Sequence, residues 1–401
     1  MATIVHPIER AWLTTGGTGA QNYDEFADES EITRIIAANP ASALAVEMPH
    51  RAPGHTSGGF AAALPAAVAR LAAAKRDGAY VPAQRVVVLY RITDPDQAAA
   101  SYGLFGMVDT GQISSSADQP GLVIRNEDVF EEKVRERVAL AEATGHLLSP
   151  VLLLQSARGD ELQAALVEAV AAAGPPAATD TDQAGRRHEI WPVPAGSTAD
   201  RLGRLAGAGE LVVADGNHRT LAAQTGRLAR FLAVVTAPES VTIAPYHRLV
   251  TESPYPVGQV RERLVAAGAQ VDRVSGEPDL PPPPGVVYLY AGGEFHAVRL
   301  PADPAASAVD NLDHALVEQW LVRDGFELEP GDKRVVYVGG DYPVSWLRAE
   351  VDAGRAAAAV VIAPVSVADF VAVNLARLRL PRKSTWFTPK ARAGLVLAEL
   401  A

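Results

Sequence analysis

Short apolar runs alternate with amphipathic stretches along most of this chain, and that alternation confines it to an α/β architecture. "RVVVLYRIT" (85–93), "SYGLFGMVDT" (101–110), "SPVLLLQ" (149–155) and "HEIWPV" (188–193) read as strands, the second interrupted by glycine. Helices lie between them. "EDVFEEKVRERVALAEATG" (127–145) places Val134, Val138 and Ala141 on one face, and Gly145 suits its C-terminal cap. "GDELQAALVEAVAAAGPP" (159–176) follows, with Asp160 as expected N-cap and Gly174-Pro175-Pro176 as the stop. The polar segment 177–188 reads as a loop.

The same rhythm runs on after residue 240. "PYPVGQVRERLVAAGAQV" (254–271) contains a helix, "LPPPPG" (280–285) is a stiff connector, and "NLDHALVEQWLVRDG" (311–325) is an amphipathic helix ending at Gly325. "VVYLYAGGEFHAVRL" (286–300) is a hairpin, because Gly292-Gly293 supplies the positive φ values of a two-residue primed turn. Residues 350–380 read as helix end, buried strand, helix. The expectation is a mixed α/β protein divided near residue 240, into 1–240 and a C-terminal α/β part, 241–401.

Composition narrows the chemistry. With 48% apolar and 21% charged residues, the chain has the make-up of an ordinary globular protein. Its net charge of −11 argues against a broad nucleic-acid footprint, which needs clustered Lys and Arg. The absence of cysteine excludes disulfides, thiolate catalysis and Cys-ligated metals. The N-terminus lacks a basic segment followed by an apolar core, and the longest apolar stretches fall short of the ~20 residues of a membrane span. A cytoplasmic protein is expected. His50 and His55 lack metal-ligand spacing and a nearby carboxylate, so no zinc site is expected there.

"ELVVADGNHRTLAAQ" (210–224) is the most informative stretch. A strand-like run ends at Asp215-Gly216-Asn217, and a helix-like run opens with His218 and Arg219. Cations at the positive end of a helix dipole are unfavourable by roughly 0.3–1 kcal/mol each. A bound phosphate would reverse that balance, with backbone N–H groups and Gly216 forming the cradle. The alternative reading makes Asp215 an N-cap and sends both cations into water.

A second His-Arg pair, His247 and Arg248 in "VTIAPYHRLV" (241–250), sits on a strand, so at most one of the two reaches a given pocket. The alternative there is a surface Arg and a satisfied His. "LPRKSTWFTPK" (380–390) gathers Lys383, Ser384 and Lys390 around Trp386 and Phe387, either as a phosphate-contacting loop or as a rigid closing segment whose Trp packs in a core. Glu127 and Asp128 open the 127–145 helix, where acidic residues are favourable without catalysis.

These stretches carry a resemblance. "QNYDEF", "NPASAL", "VIRNEDVFEEKVRERVALAEATGHLLSPVLLL", "ADGNHRTLAA", "IAPYHRLV" and "LPRKSTWFTPKARAGLVL" resemble, in order and spacing, bacterial domain-of-unknown-function family 1015. That family typically carries Asp-Gly-His-His-Arg at the strand–turn–helix and a His-Glu pair before the long helix. Here Asn217 and Asn126 stand where the family has histidine, which replaces two imidazoles by neutral amides. Asp-Gly-x-x-Arg after a strand is also similar to the phosphate-binding motif of the ParB and sulfiredoxin superfamily, whose free-serine kinases phosphorylate L-serine.

The resemblance implies a ParB/sulfiredoxin-like nucleotide-binding core with insertions. It implies phosphoryl transfer between an adenine nucleotide, ATP or ADP, and a small serine-like hydroxyl metabolite, with Mg²⁺ on the phosphates. Asp215 would be the catalytic or metal-contacting carboxylate, Gly216 the close-approach position and Arg219 the phosphate clamp. His218 would touch phosphate or hold the loop, and Glu127 is a spare base. Asn217, His247 and Arg248 would contact phosphate or nucleotide, while Lys383, Ser384 and Lys390 would close over them. Two rivals share most of these residues: a nucleotide or phosphometabolite binder without turnover, and a small-molecule phosphatase.

Overall fold

A computed structural model of the 401-residue chain describes residues 3–19, 21–23, 25–26, 29–54, 58–97, 99–114, 121–125, 127, 129–307, 309–329 and 331–400. His55, Asn126 and Asp128 lie outside the described residues. The chain forms two compact units, one of residues 1–242 with 389–401 and the other of residues 243–388.

The first unit is built on a mixed sheet. Its middle runs Leu211–Asp215, Val151–Gln155, Arg230–Thr236, Ser101–Asp109, Tyr80–Thr93, Ile8–Thr14 and then Val396–Glu399, so the C-terminal strand returns to pair with the N-terminal one. Val151–Gln155 is parallel to Arg230–Thr236 and antiparallel to Leu211–Asp215. Helices Gly159–Ala172 and Ser197–Ala206 cover one face, burying Leu162, Leu166, Ala199 and Leu202 against Val87, Leu104, Leu153 and Val213. Another apolar cluster joins Phe60, Ala67 and Leu71 of helix Gly59–Arg76 to Tyr80, Leu140, Leu148 and Leu397.

Several elements depart from the sequence reading. The long helix runs Glu131–Thr144, closed as expected by Gly145 at φ +67°. Its first turn carries Glu131 and Glu132, which meet the helix dipole's preference for acid, and Glu127 lies ahead of it in an isolated β-bridge. The next helix starts at Gly159, so Asp160 belongs to the first turn and Arg158 is the cap position. The expected loop at 177–188 contains strand Ala178–Thr181, antiparallel to Arg187–Pro194. It reads as loop because its polar residues are needed inside: Asp180 accepts hydrogen bonds from the Thr18 backbone N–H and hydroxyl.

The second unit carries an antiparallel sheet ordered Gln270–Arg273, Glu294–Arg299, Val286–Ala291, Ala358–Val361, Tyr246–Val250, Val335–Gly339. The hairpin turns at Gly292 and Gly293, both at positive φ, with Ala291 opposite Glu294. The expected helix at 311–325 is α-helical over Asp313–Leu316 and π-helical over Val317–Gly325. The buried residues Val317, Leu321 and Val322 are spaced four and five apart, and the wider i→i+5 turn brings them to one side. Among the described residues, no helix is long and apolar enough to cross a membrane.

Candidate functional site

The strand Leu211–Asp215 is held inside the first unit's sheet, with Leu211, Val212 and Val213 fully buried. A bulge between Val213 and Asp215 shifts the register against Val151–Gln155, and such a bulge re-aims the side chain that follows it. Gly216 then takes φ +98°, which L side chains rarely adopt. A Cβ there would lie 3.1 Å from Arg219 Nε and 3.3 Å from Val151 Cα, so the conformation favours glycine and the space around it is tight. Helix Asn217–Thr225 begins at once, with Gly216 as its N-cap. Asp215 is therefore the end of the strand and not the helix cap.

Arg219 does not splay into water. It folds back beneath Gly216, is only 8% exposed, and donates from Nη2 to Asp215 Oδ2 at 2.7 Å and from Nη1 to the Pro150 carbonyl. The other carboxylate oxygen, Oδ1, lies 3.7 Å from Lys390 Nζ, itself 6% exposed. Two cations thus converge on one carboxylate beside a helix N-terminus. His218 faces the long helix: its Nε2 accepts the Phe130 backbone N–H at 3.0 Å, and the two rings stack 6.1 Å apart. In the neutral ring that bond places the proton on Nδ1. Asn217 is buried, and Thr220 returns its hydroxyl to the Gly216 carbonyl. Glu127, half-buried, lies three residues before Phe130.

The segment carrying Lys390 is anchored by a buried charge network that sequence reading missed. Arg392, 3% exposed, donates to both oxygens of Glu25 and, at 2.7 Å, to Asp182 Oδ2. His188 Nε2 is 3.3 Å from the same Asp182 oxygen, and Tyr90 hydroxyl is 2.6 Å from His188 Nδ1. Asn22 locks the backbone on both sides of Arg392, donating to the Ala391 carbonyl and accepting from the Ala393 N–H. Burial alone would raise the Asp182 carboxyl, but the His188 hydrogen bond and the Arg392 charge hold it well below the usual carboxylate range. Burial pushes the His188 imidazole down and the Tyr90 phenol far up. The available signals were the polar "NYDEF" segment and an Arg two residues after Lys390.

The second unit collects the other expected residues. Arg248, fully buried on strand Tyr246–Val250, donates from Nε to Glu318 at 2.7 Å and from Nη1 to the carbonyls of Tyr246 and Lys383. Its Nη2 reaches the Arg382 carbonyl at 3.3 Å, and its guanidinium carbon lies 4.5 Å from the Tyr337 ring. His247 accepts the Ile362 N–H on Nδ1, and burial, with Arg248 beside it, lowers its imidazole to about 4. Ser384 is buried and donates to the Pro381 carbonyl, while Lys383 Nζ lies 5.2 Å from the Tyr246 ring. Asp215, Gly216, Asn217, His218, Arg219, Lys390 and Glu127 thus belong to the first unit. His247, Arg248, Lys383 and Ser384 belong to the second.

Among solved structures, the chain is similar to a conserved hypothetical protein from Pyrococcus furiosus (13% identity, TM-score 0.40, covering 73% of this chain and 93% of that one). It is also similar to a free serine kinase in complex with AMP (12%, TM-score 0.41, 71% and 87%) and to SbnI from Staphylococcus aureus with a C-terminal truncation (13%, 0.41, 72% and 84%). These likenesses are of loose shape and assign no residue. No curated protein matches. Residues 18–315 match the family described as "Protein of unknown function (DUF1015)", and the chain belongs to that family.

Proposed function

We propose that residues 211–225, with Lys390, bind the phosphates of an adenine nucleotide on a ParB/sulfiredoxin-like core, and that the chain moves a phosphoryl group to a small serine-like hydroxyl metabolite. One observation carries this reading: Arg219 and Lys390 converge on Asp215 directly beside the N-terminus of helix Asn217–Thr225. Phosphoryl transfer asks little covalent chemistry of a protein and depends on positioning and charge stabilisation. In this reading the cations take oxygens of the transferring phosphoryl group, and Gly216 lets it approach the backbone. The bond from phosphorus to the nucleotide's bridging oxygen breaks as one forms to the acceptor oxygen. The hydroxyl proton passes to Asp215, with Glu127 the second candidate base. Asn217 contributes a neutral hydrogen-bonding edge, and His218 holds the motif to Phe130.

Mg²⁺ suits such a site as a charge neutraliser for phosphate oxygens. Among the described residues no group of three or more His, Asp or Glu could hold a metal, so Asp215 would be its protein ligand and the nucleotide would supply the rest. His247, Arg248, Lys383 and Ser384 act in this reading as scaffold, since the Arg248 guanidinium is committed to Glu318 and to carbonyls of the 381–384 turn.

A second reading, nucleotide binding without turnover, is favoured by one observation: the His218 Nε2 that could move a proton already accepts the Phe130 N–H, and Asn217 has no titratable group. Phosphorus NMR of the protein with Mg²⁺, ATP or ADP, and L-serine separates the two. A new phosphomonoester resonance, absent in Asp215→Asn and Arg219→Ala, supports transfer. Nucleotide lines that broaden only with Arg219 present, without product, support the binder. Neither effect refutes both.

A further inference from the structure

Strand Glu294–Arg299 of the second unit ends where Gln270–Arg273 and Val286–Ala291 begin, with Arg299 opposite both Gln270 and Val286. At that end of the sheet is an open pocket of about 630 Å³, a volume usual for small-molecule sites. Its lining comes from this unit alone, and Pro284, Pro301, Leu312, Pro364 and Val365 give it apolar walls.

Two opposite charges border the pocket at Gly285. The half-buried Asp313, first residue of helix Asp313–Leu316, accepts the Gly285 N–H on Oδ1 at 3.0 Å. The exposed Arg299 brings Nη1 to 3.9 Å from where a Gly285 Cβ would stand. Among the described residues neither makes an ion pair, with the other or with a third group. Burial pushes the Asp313 carboxyl up, opposed by the Gly285 hydrogen bond and by no cation. Asp369, also on the lining, has its Oδ2 engaged by the Ser366 hydroxyl at 2.7 Å. A simple anion entering here would meet the Asp313 carboxylate, and a metal ion or plain amine would meet the Arg299 guanidinium. A zwitterion satisfies both. The ammonium and carboxylate of an α-amino acid share one carbon, as their two partners here share one glycine neighbour.

We propose that this pocket binds an α-amino acid with an apolar side chain, its ammonium on Asp313, its carboxylate on Arg299 and its side chain among Pro301, Leu312 and Pro364. The site is independent of the nucleotide reading and is tested without nucleotide. The probes are L-leucine and L-phenylalanine, titrated calorimetrically into the full chain. Beside them run hydrocinnamate, which is phenylalanine without its ammonium, and phenethylamine, which is phenylalanine without its carboxylate. Saturable binding of at least one amino acid is expected. Loss of the ammonium should weaken binding by roughly tenfold, because a charge-assisted hydrogen bond to a half-buried carboxylate is lost. Loss of the carboxylate should cost roughly threefold, since Arg299 is exposed. Asp313→Asn keeps an oxygen for the Gly285 N–H, so it should weaken L-phenylalanine and leave hydrocinnamate unchanged. Arg299→Gln, at an exposed position, should weaken L-phenylalanine and leave phenethylamine unchanged. The proposal is overturned if neither amino acid binds saturably, if either analogue binds as well as L-phenylalanine, or if Asp313→Asn weakens hydrocinnamate as much as L-phenylalanine.

Discussion

Replacing Gly216 by alanine tests whether the turn and the ion pair beneath it form one device. The first cost is backbone: φ +98° carries a penalty of about 1–2 kcal/mol for a residue with a Cβ. The second is space, because that Cβ would press on Arg219 Nε at 3.1 Å and on Val151 Cα at 3.3 Å. The sheet backbone at Val151 cannot retreat as readily as the guanidinium, so Arg219 is expected to shift and loosen its 2.7 Å bond to Asp215. Charge-assisted hydrogen bonds are worth about 1.5–3 kcal/mol, and losing part of one brings the total to about 2–3 kcal/mol. For a unit of this size that is a fall in Tm of roughly 4–12 °C. A double-mutant cycle in urea with Arg219→Ala isolates the second part. In the Arg219→Ala background Gly216→Ala should cost only the backbone share, leaving a coupling of about 0.5–1.5 kcal/mol. A Gly216→Ala variant as stable as wild type, or a coupling indistinguishable from zero, would refute the argument.

Three further outcomes follow from buried groups. His247 has its imidazole lowered to about 4 by burial, so the unfolded chain binds a proton that the fold does not. Stability from this residue is full above its unfolded value near 6.5 and declines as pH falls towards 4, by about 3 kcal/mol in all. Urea titrations at pH 7 and pH 4.5 should show the decline, and His247→Asn should reduce it by this residue's share, the rest coming from other buried histidines such as His188 and His314. Arg392→Met would remove the cation shared by buried Asp182 and half-buried Glu25 and should destabilise the chain by about 3–5 kcal/mol, read by chemical denaturation. Gly339→Ala would place a Cβ 2.2 Å from the Trp386 ring, an overpacking worth about 1–3 kcal/mol, seen as a lower Tm with altered Trp fluorescence.

What could be read from sequence and what could not divide along one physical line. The turn at Asp215-Gly216, the hairpin at Gly292-Gly293 and the cap at Gly145 are settled by neighbours a few residues away, through φ and local sterics. Apolar runs such as Val151–Gln155 announce burial by composition. Charged residues announce nothing of the kind. Asp182 fell in a segment read as a polar loop and Glu25 had no assigned place, because a buried carboxylate is tolerable only with partners, and the cation these two share, Arg392, stands 210 and 367 residues away. The strand Val396–Glu399 was likewise silent, since its pairing with Ile8–Thr14 joins opposite ends of the chain.

The cations at the start of helix Asn217–Thr225 show both sides of that line. Their presence was evident, and so was the dipole that opposes them. Their resolution was not, because it depends on a sheet bulge, on the Pro150 carbonyl and on Lys390 arriving from the far end of the sequence. Arg219 bends away from the helix axis towards Asp215, so the carboxylate ahead of the turn offsets the unfavourable end of the dipole before any ligand is considered. A phosphate is therefore one way to balance this helix start, and Asp215 is the group it would have to displace or share. That makes Asp215→Asn the informative substitution. If the carboxylate merely neutralises Arg219 and Lys390, the amide should strengthen phosphate binding; if it takes the acceptor's proton, the amide should keep binding and lose transfer.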